Sequence, residues 1–266
     1  MTGYHYRFSI RGYSHPLLYE LSAHNPSPDL AFMNEEHDDS APHFYFTSAH
    51  LDELSQPAQV WGRATQLLDM FHGIYVLDSL SPNSPFGSAR PVLHELYDLW
   101  EGKWLGHVAP ETPSRLPYMA TVLAEPVHPV YASGTMGRAL LLARTKPDVM
   151  TLLTQLGQEL DLRTLYAIVD TLRHYDGYGF EARHQKAGIS NKKYKLFTRT
   201  ADNFGASGLL ARHGPSNAQP PEKPMPLPEA QYLVKLLSRQ YLTDRHGIQF
   251  AEPIVYQDAG GILEDF

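Results

Sequence analysis

Arginine and histidine stand side by side at positions 212 and 213, in the stretch LLARHG, and they are the residues of this chain best suited to phosphate chemistry. A guanidinium grips phosphate through parallel hydrogen bonds, and an imidazole titrates near neutral pH and can carry a proton, a combination that fits phosphodiester cleavage or nucleotide binding. The same residues also have a structural reading, in which Gly214 caps a helix while Arg212 and His213 bond its last carbonyls and favour its dipole. Upstream, SNKKYKLFTRT places Lys192, Lys193, Lys195 and Arg199 toward the exposed side of a helix whose Tyr194 and Phe197 turn inward. Such a cluster could hold an RNA backbone without reading bases, or it could be an ordinary solvated helix face.

Three further groups carry weaker signals. His174 and Asp176 in RHYDG could form an imidazole oriented by a carboxylate, or simply a turn. The run NEEHDD, residues 34–39, offers oxygens to a hard cation but lacks the ligand spacing of a calcium loop and reads as a solvated hairpin tip. His5, Arg7 and Arg11 share one face of a strand, where they could line a polar groove or face water.

Composition narrows the chemistry. The chain has 266 residues and a net charge of -7, so any nucleic-acid site must be a local patch and not a global positive field. Without cysteine there can be no disulfide, thiolate nucleophile, iron-sulfur cluster or cysteine-ligated zinc. No apolar run is long enough to span a bilayer, and MTGYHYRFSI lacks the basic segment and apolar core of a signal peptide, so the expectation is a cytoplasmic protein without membrane contact. There is no phosphate loop, dinucleotide fingerprint, nucleophile elbow or zinc-protease helix, and neither a metal nor a cofactor is expected.

The elements that must position these residues are legible from periodicity. Residues 4–11, YHYRFSIR, alternate Tyr4, Tyr6, Phe8 and Ile10 against His5, Arg7, Ser9 and Arg11, which predicts a strand with one buried face. PLLYELS, DLAFMNE and HFYFTS read as further strands of an antiparallel meander. Residues 57–77 change to helical spacing and predict a long helix laid over the sheet. PVLHELYDLW and KWLGHV predict a hairpin turning at Glu101 and Gly102, and MATVLAEPVHPVY another extended segment. From Thr135 onward the pattern is helical, with Ser190 as an N-cap and Gly157, Gly177 and Gly247 as exits. The predicted fold class is α+β, divided into a β-rich sub-domain at 1–132 and a helical bundle at 133–266 that carries a proline-rich loop at 214–228.

The order LYAIVDTLRHYDG, a helix closing on ARHG, a proline-rich loop, and PMPLPEAQYLVKLLSRQYL resembles uncharacterised bacterial proteins of similar length and the helical bundles of the HEPN group, over roughly residues 147–245. That group includes ribonucleases of toxin and antiviral defence systems as well as non-catalytic binding modules. Its motif pairs an Arg with a His a few residues on. Arg239, Gln240 and His246 have that spacing, whereas Arg212 and His213 are adjacent. The resemblance implies a homodimer, because such bundles often pair to build one cleft. The expected function is an RNA- or nucleotide-directed module capable of metal-independent ribonuclease action, with Arg212 and His213 catalytic and Lys192, Lys193, Lys195 and Arg199 on the backbone. Two alternatives stand beside it: a non-enzymatic module that binds a protein partner through the N-terminal sheet and the proline-rich loop, and a small-molecule binder using the polar face of the first strand.

Overall fold

The computed structural model describes residues 4–25, 27–36, 42–78, 90–113, 115–118, 129–215 and 217–250. The fold is α+β. Five antiparallel strands, β1 (Tyr6–Arg11), β2 (Ala31–Glu35), β3 (His43–Thr47), β4 (Val92–Asp98) and β5 (Lys103–Gly106), form one sheet in the order β2-β3-β1-β4-β5. β1 lies in the centre because its alternation gives it a fully apolar face: Tyr6, Phe8 and Ile10 are all buried. The β4–β5 hairpin turns at Gly102, whose φ of +60° is the left-handed conformation that glycine adopts without strain.

One predicted strand is a helix. PLLYELS lies in α1 (His15–Ala23), where Pro16 sits in the first turn with its φ already set for a helix. Leu17, Leu18 and Leu21 are all buried, which helical spacing permits; a strand would have sent Leu18 to the face opposite Leu17 and Leu21. The segment predicted as extended, MATVLAEPVHPVY, lies mostly outside the described residues; at its end Pro129–Ala132 form a 3-10 turn.

The long helix is present as α2 (Pro57–Asp78) and is buried over most of its circumference. One side covers the sheet, with Trp61 edge-on to Phe8 at 5.1 Å and Phe71 4.8 Å from Phe32. The other side meets the helical half: α3 (Thr135–Ala143), α4 (Pro147–Leu156), α5 (Leu162–Asp176), α6 (Phe180–Lys186), α7 (Asn191–Asp202), α8 (Phe204–Ser207) and α9 (Leu227–His246). Two glycines let the backbones of α2 and α4 touch. A Cβ at Gly73 would stand 1.9 Å from the carbonyl oxygen of Leu153, and one at Gly157 would stand 1.7 Å from that of Asp69. α9 is tied to α2 by buried Arg239, which donates from Nε to the Leu77 carbonyl at 2.7 Å and from Nη2 to that of Asp78 at 3.0 Å, satisfying carbonyls that the end of α2 leaves open. Among the described residues, no helix is long and apolar enough to cross a membrane.

Candidate phosphate-facing site

α7 begins as expected, with Ser190 Oγ accepting from the Lys193 amide at 3.2 Å, and buries Phe197, Thr200 and Ala201. Lys192, Lys195 and Arg199 are exposed and recur at i, i+3 and i+7, so they form one stripe along the free side. Lys193 points elsewhere and pairs with Glu229 of α9 at 3.0 Å. The stripe runs into Asp202 at the end of the helix.

The chain then folds back on that end. Asn203 caps α8, a 3-10 turn spans Gly208–Leu210, and the Arg212 amide donates to the Ala201 carbonyl at 2.9 Å, filling an acceptor orphaned by the C-terminus of α7. Arg212 is thus at a helix exit, but through a return of the chain. Gly214 caps nothing: it is absent from the positive-φ glycines, and the residue closing α7 is Asn203 in an extended conformation.

Arg212 and His213 converge on one carboxylate. The guanidinium lies 4.4 Å over the Tyr166 ring, with Nη2 3.2 Å from Asp170 Oδ2 and Nη1 3.9 Å from Asp202 Oδ1. His213 Nε2 is 3.7 Å from the same Asp202 oxygen, which is buried and accepts no hydrogen bond. Both side chains stay open to solvent, 41% exposed for Arg212 and 62% for His213. The arrangement sets a guanidinium and an imidazole side by side at one carboxylate. Tyr166, Asp170 and Asp202 were not legible as partners. Tyr166 and Asp170 are one turn apart on α5, but nothing local ties that face to residue 212.

The proline-rich segment is fastened at two points, although most of its described residues are exposed. Asn203 Nδ2 donates to the Ala218 carbonyl at 2.8 Å, the Met225 amide donates to Thr200 Oγ1 at 3.0 Å, and Pro221 and Met225 are buried.

The other sequence candidates separate. Asp176 does not orient His174; it accepts two bonds from Arg183, both at 2.6 Å. His5 stacks on Trp100 at 4.0 Å with Nε2 3.2 Å from Asp98, and Arg7 lies over Tyr45 at 4.1 Å while bonded to Glu35, so these two fill the outer sheet face instead of lining a groove; Arg11 is exposed. Within NEEHDD, Glu36 accepts from Tyr19, and residues 37–39 lie outside the described residues. Arg239 and His246 serve different partners: Arg239 holds α2, and His246 bonds Asp148 at 2.7 Å, alongside Tyr241 at 2.5 Å. No group of three or more His, Asp or Glu among the described residues could share a metal ion.

A second polar cluster carries no sequence signal at all. On α2, Asp69 and His72 are buried one turn apart. Burial pushes the Asp69 carboxyl up to about 6, with Arg90 pulling the other way, and burial beside Arg90 and Lys235 drives the His72 imidazole down to about 4. His72 Nδ1 shares a 2.8 Å hydrogen bond with Tyr13 Oη. Because the folded pKa of Asp69 lies above its unfolded value of 3.8, ionising it costs stability: the cost is absent below about pH 4, grows as pH rises toward 6, and is complete above that. Asp69→Asn is expected to gain about 2–3 kcal/mol at pH 8, since the rise from 3.8 to about 6 already includes the attraction of Arg90. Urea melts at pH 8 and pH 4 check this, with the gain vanishing at the lower pH.

Comparison of the chain with protein-family models, with curated proteins and with solved structures finds no match.

Proposed function

We propose that the protein is an RNA- or nucleotide-directed module, in which α7 faces the phosphate backbone and Arg212 with His213 performs metal-independent cleavage of RNA. The observation that supports this best is the convergence of two solvent-open groups, Arg212 and His213, on Asp202 at the end of the helix that carries Lys192, Lys195 and Arg199. In this scheme His213 takes the proton of a 2'-hydroxyl, the 2'-oxygen bonds to phosphorus as the bond to the 5'-oxygen breaks, and solvent protonates the departing oxygen. The product ends are a 2',3'-cyclic phosphate and a 5'-hydroxyl. Arg212 steadies the charge that builds on the phosphoryl oxygens. The role in toxin or antiviral defence and the homodimer implied by the HEPN resemblance belong to the same proposal.

Asp170 and Asp202 balance much of the charge on Arg212, so backbone affinity rests on Lys192, Lys195 and Arg199, which span about 10 Å of helix. Lys193 contributes little, since Glu229 holds it. Each phosphate contact releases counterions and steepens the salt dependence by about 0.7 for a single strand. Replacing Lys192, Lys195 and Arg199 by Gln is expected to lower the slope of log K against log salt by about 2, while Lys193→Gln leaves it nearly unchanged. Filter binding of single-stranded RNA across a salt series tests this, and equal slopes in both variants would remove α7 from the contact surface.

The exposed tryptophans favour a second reading, a protein-interaction module. Trp100 and Trp104, 64% and 63% exposed, stand on the β4–β5 hairpin at the sheet edge. Partner capture lost on Trp100→Ala with Trp104→Ala, in a protein that leaves RNA intact, would favour it.

A further inference from the structure

A buried arginine in the first half of α2 stands apart from the Arg212 turn and from Asp69. Among the described residues the Arg63 guanidinium makes a single hydrogen bond, from Nη1 to the Pro117 carbonyl at 3.2 Å, and its buried Nε donates to nothing. A guanidinium taken out of water ordinarily meets a carboxylate through parallel hydrogen bonds. The carboxylate paired with Arg63 is Glu53, whose Oε1 lies 3.9 Å from Nη1, too far for a hydrogen bond.

Backbone contacts hold the surroundings in place. After β5 the chain lies along α2: the Glu111 amide donates to the Ala58 carbonyl at 2.9 Å, and the Glu111 carbonyl oxygen would be 1.8 Å from a Cβ at Gly62, the residue before Arg63. Residues 115–118 then carry Pro117 against Arg63 and bring Arg115 to Glu53, whose Oε1 accepts from Arg115 Nη2 at 2.6 Å. Two guanidiniums therefore face the same oxygen, one from the interior and one from the surface, since Arg115 is 44% exposed and Glu53 31%. Among the described residues the neighbouring carboxylates are engaged elsewhere: Asp52 accepts from the His5 amide, and Asp29 pairs with His50 and Arg144. Burial and the charge of Arg115 both pull the Arg63 pKa down, while Glu53 works the other way.

We propose that Arg63 and Arg115 form a binding site for a phosphate group, which displaces the Glu53 carboxylate from between them. A phosphate dianion brings oxygens to both guanidiniums and matches their two charges, where Glu53 offers one shared oxygen and one charge. Because Glu53 is partly exposed, its carboxylate turns to water as the phosphate enters. The site does not depend on the RNA-directed reading, since none of its residues belongs to α7 or to the Arg212 turn.

Thermal melting of the full chain with inorganic phosphate, against sodium chloride at matched ionic strength, tests the proposal. A saturable rise in Tm of several degrees is expected. Arg115→Gln should abolish it, and Glu53→Gln, which removes the competing carboxylate, should move half-saturation to a phosphate concentration about tenfold lower. Both substitutions fall on partly exposed side chains, so the fold survives them. Arg212→Ala with His213→Ala should leave the rise intact, which separates this site from the one beside α7. No rise beyond chloride, an equal rise in Arg115→Gln, half-saturation unchanged or higher in Glu53→Gln, or a rise lost with Arg212 and His213 would overturn the proposal.

Discussion

Gly157→Ala is expected to destabilise the protein by about 3 kcal/mol or more, lowering Tm by roughly 6–12 °C. The added Cβ would stand 1.7 Å from the carbonyl oxygen of Asp69 and 2.4 Å from its carbon. A clash with the end of a flexible side chain can be relieved by a rotamer change. A clash with helix backbone cannot, so α2 and α4 must separate and loosen a core that α2 shares with the sheet. Gly73→Ala should behave alike, since its Cβ would meet the Leu153 carbonyl from the other side of the same contact. Gly214→Ala supplies the control, with nothing within 4 Å of the added atom and little change expected. Urea melts of the three variants, read as midpoints at constant slope, decide the matter; a midpoint for Gly157→Ala within error of wild type would mean that the helices do not touch backbone to backbone.

The second large effect is kinetic. His213→Ala should lower RNA cleavage by about 10²–10⁴-fold, the usual contribution of a positioned acid-base group, which corresponds to about 3–5 kcal/mol in the barrier. Stability should hardly change, because the ring is mostly exposed and lies 3.7 Å from Asp202 without a hydrogen bond. Asp202→Asn should give a smaller loss of about tenfold or more, since it removes the negative charge beside Arg212 and His213 but not the imidazole itself. Arg212→Lys should fall between the two: it keeps a charge beside Asp170 and Asp202 but loses the planar stack on Tyr166 and the paired donors. Equal cleavage by wild type and His213→Ala would assign the imidazole no part in the chemistry.

The elements with strong periodicity could be read directly. The alternation in β1, the helical spacing of α2 and the caps at Ser190 and Gly247 are each decided within a few residues, and the chain folds as those local preferences ask. PLLYELS misled because a short apolar run fits both periods, and only the shared burial of Leu17, Leu18 and Leu21 separates them.

The sites were half legible. Arg212 and His213 are neighbours in the sequence, yet Asp202, Asp170 and Tyr166 reach them only through the return of the chain after α8. Arg239 and His246 show the opposite failure, a suggestive spacing whose members serve separate structural bonds. Asp69 and His72 were hidden because they interrupt a helix otherwise rich in core residues, and their surroundings come from Tyr13, Arg90 and Lys235, all distant in sequence. The approach of Gly157 to Asp69 is likewise a matter of packing that no local pattern carries.

The most direct measurement is the fate of a labelled single-stranded RNA incubated with the purified chain in the presence of a chelator, with the product ends identified by mass spectrometry. Fragments ending in 2',3'-cyclic phosphate, formed by wild type and not by the chain carrying Arg212→Ala and His213→Ala, are the predicted result. RNA that stays whole, or fragments that form equally with both chains, would contradict it.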